Sequence, residues 1–315
     1  MSPITKERLE TIHLRMLPFV HNTPILTSAT INRICDAQVY FKCENFQKMG
    51  AFKMRGALNA ILSLPESERK NGVVTHSSGN FAQAVSLAAK NLQVPAYIVM
   101  PETAPIVKKE AVLGYGGQIT ECTPTLEARE QTSKTIMDRT GATFIHPSND
   151  MDVILGNATA AMELIEVHPD LDWVLCPVGG GGLIAGTALA VNTFTDSCKT
   201  WGGEPLNADD AYRSMISGKI ETNTNPQTIA DGLKTQLGHL NFPIIQEYVS
   251  GITRVSETEI KNAMRLLWER MKIVVEPSSA VALAAILKET DAIKGKKVGI
   301  ILSGGNVDLG KLPFQ

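Results

Sequence analysis

The sharpest chemical signal in the chain is Pro177-Val178-Gly179-Gly180-Gly181-Gly182-Leu183, where an apolar strand pattern meets an apolar helix pattern. Residues without a Cβ let the backbone approach an anion closely, and a helix N-terminus points unpaired N–H groups at it. A phosphate suits that cradle; the plainer alternative is a turn that only lets helix pack on strand. The second signal is Lys53 within Gly50-Ala51-Phe52-Lys53-Met54-Arg55-Gly56, an amine set among apolar neighbours. Desolvation disfavours its charged form and would make it a nucleophile or Schiff-base former, whereas a snorkelling surface lysine is the bland reading. Third, Thr75-His76-Ser77-Ser78-Gly79-Asn80-Phe81 gathers two hydroxyls, a glycine and an amide at a helix start, either a carboxylate clamp or an ordinary N-cap. Fourth, Ser303-Gly304-Gly305-Asn306 closes another apolar strand. The run Gly305 to Lys311 nearly matches a Walker A loop, but Leu312 replaces the magnesium-binding hydroxyl and the match is rejected. The glycine loop also lacks the spacing of the dinucleotide fingerprint, which disfavours a nicotinamide cofactor.

These loops need rigid elements behind them. Short β-branched runs alternate with helical periodicity, the pattern of an α/β protein with a mainly parallel sheet covered on both faces. Strands are expected at Val39–Cys43, Val73–His76, Ala96–Met100, Phe144–His146, Trp173–Cys176 and Val298–Leu302. Helices are expected at Met54–Leu64, Phe81–Lys90, Pro105–Leu113 and Leu183–Val191. Each of three motifs then follows the carboxyl end of a strand, where open α/β sheets bind ligands. No charged residue occurs from Trp173 to Thr195, long enough to span a bilayer, but Pro177 and the glycines divide it into strand, loop and helix. The charge run Glu66 to Lys70 reads as a solvated connection and a candidate domain crossing.

The chain has 315 residues with 30 basic and 32 acidic side chains, so no positive excess is available for a nucleic-acid backbone or an anionic membrane. Neither partner is expected. The 5 cysteines, Cys35, Cys43, Cys122, Cys176 and Cys198, form no CxxC pair and read as free thiols of a reducing cytosol. The opening Met1 to Arg8 shows no export signal, so a cytoplasmic location is expected.

Taken in order, Ala51-Phe52-Lys53-Met54-Arg55-Gly56-Ala57, Ser77-Ser78-Gly79-Asn80, Gly179 to Gly182 and Ser303-Gly304-Gly305-Asn306 resemble the serine racemase and threonine/serine dehydratase branch of the fold-type II pyridoxal-phosphate enzymes. The likeness covers nearly the whole chain, including Ile229-Ala230-Asp231-Gly232 and Trp268-Glu269-Arg270-Met271-Lys272. It implies a two-lobed, tryptophan synthase beta-like architecture of twisted, mainly parallel sheets. Residues 1–70 and 151–315 would form a large cofactor-binding domain and residues 71–150 a small mobile one, with no extra regulatory domain. Lys53 would carry pyridoxal 5'-phosphate, Phe52 would flank its ring and Asn80 would bond its hydroxyl. Gly179, Gly180, Gly181, Gly182 and Leu183 would hold its phosphate, and Ser303 would face its pyridine nitrogen. A neutral hydroxyl there does not keep that nitrogen protonated, so elimination of a β-hydroxyl competes well. Ser77, Ser78, Asn80 and Phe81 would border the substrate, with Ser78 as a second acid–base opposite Lys53. Arg129 would reach a distal polar group.

The resemblance further implies a magnesium or calcium site from the Glu204 and Asp210 carboxylates and the Ala208 carbonyl, a segment otherwise readable as an acidic helix cap. An adenine-nucleotide effector such as ATP would lie by Gln83 and Tyr115, and a homodimer is the expected assembly. Three departures bear on the substrate: Phe81 replaces the histidine usual after Ser-Gly-Asn, Ala51 replaces a serine, and Ser148, Asn157 and Ala158 differ within a loop expected to border the site. The activity implied is pyridoxal-phosphate-dependent dehydration of small β-hydroxy amino acids such as L-serine and L-threonine, a lyase reaction, joined by serine racemisation. The alternatives are 3-hydroxyaspartate dehydration, aspartate or serine racemisation, and an amino-acid sensor that binds the cofactor without turnover.

Overall fold

The computed structural model describes residues 4–314; Met1 to Pro3 of the opening segment and Gln315 lie outside them. Ten strands form: β1 (Ile25–Thr27), β2 (Gln38–Cys43), β3 (Val73–His76), β4 (Ala96–Pro101), β5 (Gln118–Cys122), β6 (Thr143–Phe144), β7 (Trp173–Pro177), β8 (Lys199–Pro205), β9 (Val249–Val255) and β10 (Lys297–Leu302). They build two sheets, one of six strands in the order β1-β2-β10-β7-β8-β9 and one of four in the order β5-β4-β3-β6. Every pairing is parallel except β1 with β2. The expected α/β class with mainly parallel sheets is what forms.

Parallel strands covered on both faces carry continuous apolar runs, and β7 is buried at all five positions. In the smaller sheet the alternation divides the faces. Val73 and Ile98 join the large core with the helix Asn80–Asn91, while Val74 and Val99 pack under the helix Leu126–Thr140 with Ile136 and Ala142. The helices Lys53–Ser63, Met151–Val167 and Gly182–Phe194 pack on one another, and Lys53–Ser63 also packs on Asn80–Asn91. One hydrophobic cluster therefore runs from the larger sheet into the smaller.

The chain passes along an exposed turn of helix, Glu66–Arg69, into β3, so the charge run is a solvated connection, as expected. The uncharged stretch from Trp173 resolves into β7, the glycine loop and the helix Gly182–Phe194, and no described helix is long and apolar enough to cross a membrane. All five cysteines are free, and burial pushes the Cys43 and Cys176 thiols up to about 12, leaving them unreactive. Two expectations fail. The strand expected at Phe144–His146 stops at Phe144, and Asn157 and Ala158 lie buried in the helix Met151–Val167 rather than in a loop bordering the site.

Candidate active site

The carboxyl ends of β3, β7 and β10 deliver the Ser77, Gly179 and Ser303 loops to one cleft between the two sheets, whose cavity has a volume of about 900 Å³. Phe52, Lys53, Ser77, Ser78, Asn80 and Phe81 line it, as do Arg129, Gly179 to Leu183 and Ser303. Among the residues expected at or near the site, the proposed metal ligands Glu204, Ala208 and Asp210, the nucleotide-site candidates Gln83 and Tyr115, and Asn157 and Ala158 are not in this lining.

Lys53 opens the helix Lys53–Ser63, and its Nζ donates to the Pro147 carbonyl at 2.8 Å. The rings of Phe52 and Phe81 lie 5.1 and 5.4 Å from that nitrogen. Burial holds the amine down to about 8, although the Glu276 carboxylate pulls the other way. On its far side this helix is anchored by Arg55, whose guanidinium is fully buried. It donates to Glu44 at 2.8 and 2.9 Å and to Glu163 at 2.7 and 2.8 Å. Lys42 adds a second contact to Glu163 Oε2 and Thr23 one to Glu44 Oε1, and the two cations balance the two buried carboxylates.

The glycine loop is shaped as an anion cradle. Among the described residues, no acceptor takes the Gly179, Gly180 or Gly181 N–H, and the helix Gly182–Phe194 starts directly behind them. Gly181 has φ +82°, and a Cβ there would lie 2.7 Å from the Asn241 Oδ1. Asn241 cannot give way freely, because its Nδ2 donates to the Ser148 and Gly180 carbonyls at 3.0 and 2.8 Å. Gly181→Ala should therefore cost about 1–3 kcal/mol of folding free energy from the left-handed backbone alone. Phosphate retention should weaken with it. Thermal unfolding with and without saturating pyridoxal phosphate checks this; an unchanged midpoint and unchanged retention would show that the cradle does not need this geometry.

No local motif points to Glu276, at the N-cap of the helix Pro277–Lys288. It is buried, and Asn80 Nδ2 donates to both its oxygens at 3.0 and 3.1 Å. Asn306 Nδ2 in turn donates to Asn80 Oδ1 at 2.9 Å, which fixes the amide with its nitrogen toward Glu276. Burial, reinforced by Asp231, pushes the Glu276 carboxyl up to about 7. His146 was missed as well. Its Nδ1 accepts from the Ser148 and Asn149 N–H groups at 3.2 and 2.8 Å, and burial, with the nearby His76 and Lys53, holds it down to about 4. It is a neutral ring in the cavity wall with its other nitrogen protonated. The segment Asp231 to Gly238 closes the cleft opposite, and Lys108 bridges the lobes to Asp231 at 2.7 Å.

Glu204 and Asp210 are fully buried, away from the cavity, beside a buried Ala208. The Glu204 oxygens accept the Ala211 and Tyr212 N–H groups at 2.9 and 2.8 Å; Asp210 accepts from Asn223 Nδ2 at 2.6 Å and from the Leu237 N–H at 3.3 Å. Burial raises both carboxyls, Asp210 to about 6. The two carboxylates are an oxygen donor set of the kind hard divalent cations take, with each oxygen already holding one N–H. No group of three or more His, Cys, Asp or Glu that could hold a metal occurs among the described residues, so any cation here would lean on carbonyl oxygen and water.

Comparison with known proteins agrees with this geometry. Residues 16–304 match the family described as pyridoxal-phosphate dependent enzyme. The chain is 51% identical to the serine racemase of Dictyostelium discoideum over 316 residues, 99% of this chain and 98% of that one. It is 48% identical to the beta-hydroxyaspartate dehydratase of Paracoccus denitrificans, with 99% of each covered. The crystal structure of the Dictyostelium discoideum serine racemase superimposes with a TM-score of 0.93, covering 97% of this chain and 99% of that one.

Proposed function

The chain belongs to the pyridoxal-phosphate dependent enzyme family, and from that premise we propose that it dehydrates small β-hydroxy amino acids such as L-serine and L-threonine to the oxo acid and ammonia, with racemisation at the α-carbon as a second outcome. The observation that carries the reading is one cavity holding both an amine held down to about 8 and a glycine loop whose Gly179, Gly180 and Gly181 N–H groups have no acceptor among the described residues. The residues present fit the cofactor: Gly179 to Leu183 for its phosphate, Phe52 for its ring face, Asn80 for its ring hydroxyl and Ser303 for its nitrogen. When bound, pyridoxal phosphate supplies the electron sink that makes an amino acid's Cα–H acidic. Lys53 then takes or returns that proton on one face, and Ser78 serves the other. Ser77 and the adjacent N–H groups hold the α-carboxylate. The segment 71–150 is assigned as a small mobile domain that closes on 1–70 and 151–315, excluding water, with Lys108 and Asp231 meeting across the cleft.

A second substrate reading is 3-hydroxyaspartate. It is favoured by Arg129 in the cavity wall, whose buried Nε has no protein partner among the described residues and can take a distal carboxylate. A panel of L- and D-serine, L-threonine, 3-hydroxyaspartate and aspartate, followed for oxo acid, ammonia and enantiomer, tests both. Release of oxo acid and ammonia from a β-hydroxy substrate is expected; binding of these amino acids without ammonia release would make the protein a sensor.

We further assign Glu204, Asp210 and the Ala208 carbonyl to magnesium or calcium, an adenine-nucleotide effector to the packed helix pair bearing Gln83 and Tyr115, a homodimeric assembly and a cytoplasmic location. A cation that binds only the folded state adds about 2.7 kcal/mol at a hundredfold excess over its Kd. Chelation should therefore lower the melting temperature of the wild type by about 5 °C and leave Asp210→Ala unmoved. Equal shifts in the two proteins would remove the site from the account.

A further inference from the structure

Phe81 sits against the amine of Lys53, the most strongly perturbed lysine of the cleft. It is the second residue of the helix Asn80–Asn91, only 2% exposed, and held by the apolar face that also buries Ala82, Ala84, Val85, Ala88 and Ala89. Its ring therefore cannot swing away without disturbing the core. From that anchorage it stands 5.4 Å from the Lys53 nitrogen, with Phe52 at 5.1 Å and the Pro147 carbonyl at 2.8 Å. An ammonium within about 6 Å of a ring centroid is attracted by the negative face of the ring. A histidine in the same place would offer the amine a competing hydrogen-bonding nitrogen; a phenyl ring offers only its face.

We propose that Phe81 is a positioning residue for Lys53, its ring forming with Phe52 and the Pro147 carbonyl a cage that holds the protonated amine in line with the reacting carbon whenever Lys53 is released from the cofactor. The proposal rests on the reading of Lys53 as the cofactor-bearing lysine. The ionisable groups facing this amine are Glu276, from the N-cap of the helix Pro277–Lys288, and His146, from the loop after β6, with His76 behind it. Glu276 favours the ammonium by its charge, and His146 stays neutral through the working range, so neither supplies the directional contact that the two rings supply.

The test separates the ring's electrostatics from its bulk. Full-length protein, stripped of cofactor by a competing amine and shown by circular dichroism to remain folded, is labelled competitively with acetic anhydride from neutral to alkaline pH. Mass spectrometry then gives the titration midpoint of Lys53. Phe81→Leu keeps the burial and removes the negative face, so the midpoint should fall by roughly half to one pH unit, whereas Phe81→Tyr should leave it in place. Trifluorophenylalanine incorporated at Phe81 keeps both shape and core packing while weakening the face, and should lower the midpoint in the same direction even if the leucine variant does not fold. A midpoint that the fluorinated ring leaves unmoved overturns the proposal, since a ring that merely fills space would behave in that way. Borohydride reduction of the reloaded wild type keeps the two failures apart. Cofactor fixed on Lys53 with no midpoint shift refutes the cage alone, and cofactor fixed on another residue refutes the underlying reading.

Discussion

Lys53→Ala should lose turnover by at least about 10³-fold on every substrate that the wild type accepts, while the protein stays folded and still binds pyridoxal phosphate without a covalent bond. The loss is expected to be large because the proposed function puts two roles on one nitrogen, which would carry the cofactor and move the α-proton. The two buried ionisable groups that face it do not replace it, since His146 is held down to about 4 and Glu276 is engaged by Asn80. Retention of the cofactor is expected because the Gly179 to Gly182 cradle and the Asn80, Glu276 and Asn306 network do not involve Lys53. The same nitrogen sets the pH dependence of loading. Only the neutral amine attacks a carbonyl, and an amine held down to about 8, against an ordinary 10.5, is neutral roughly 300 times more often at neutral pH. The rate at which cofactor-free protein takes up pyridoxal phosphate should rise about tenfold per pH unit below the Lys53 midpoint and level off above it. Stopped-flow absorbance across pH measures this, and a rate still climbing steeply beyond pH 9 would show that burial does not lower this amine.

Ser78→Ala should divide the two reactions. Racemisation needs a proton removed on one face of the α-carbon and delivered on the other, so losing one of the two acid–base groups should cost about 10²–10⁴-fold in interconversion of enantiomers and in dehydration of a D-substrate. Dehydration of the preferred L-substrate, which on the proposed function would need Lys53 alone, should stay within about tenfold of wild type. Chiral chromatography of the amino acid, run beside an oxo-acid assay, separates the outcomes. Complete loss of L-dehydration with racemisation intact would require the faces to be reassigned.

The parts of this site that could be read from sequence are those in which local chemistry and local structure coincide. Each of Ser77, Gly179 and Ser303 follows a strand whose apolar run ends abruptly in small or hydroxylated residues, so strand end and ligand loop announce each other. Glu276 carries no such signal. It precedes Pro277 as an ordinary helix-start acid, and only the fold places it on Asn80, 196 residues away. His146 was read as the end of a strand, yet its ring caps the backbone turn at Ser148 and Asn149 and breaks the ladder after Phe144. The strands β8 and β9 went unseen for a packing reason. Gly203 in β8 must be bare because a Cβ would come 2.8 Å from the Val281 carbonyl, and a Cβ on Gly251 in β9 would clash with the Trp201 ring. Glycines that tertiary packing demands look like turns to any local reading. Asn157 misleads in the opposite sense, a polar residue that is itself fully buried within a helix.

The most direct test of the central claim is reduction of the purified holoprotein with borohydride, followed by proteolysis and mass spectrometry of the labelled peptide. A single pyridoxyl-phosphate adduct is expected on Lys53, within Phe52-Lys53-Met54-Arg55. An adduct on any other lysine, or none from protein that shows dehydratase turnover, would contradict it.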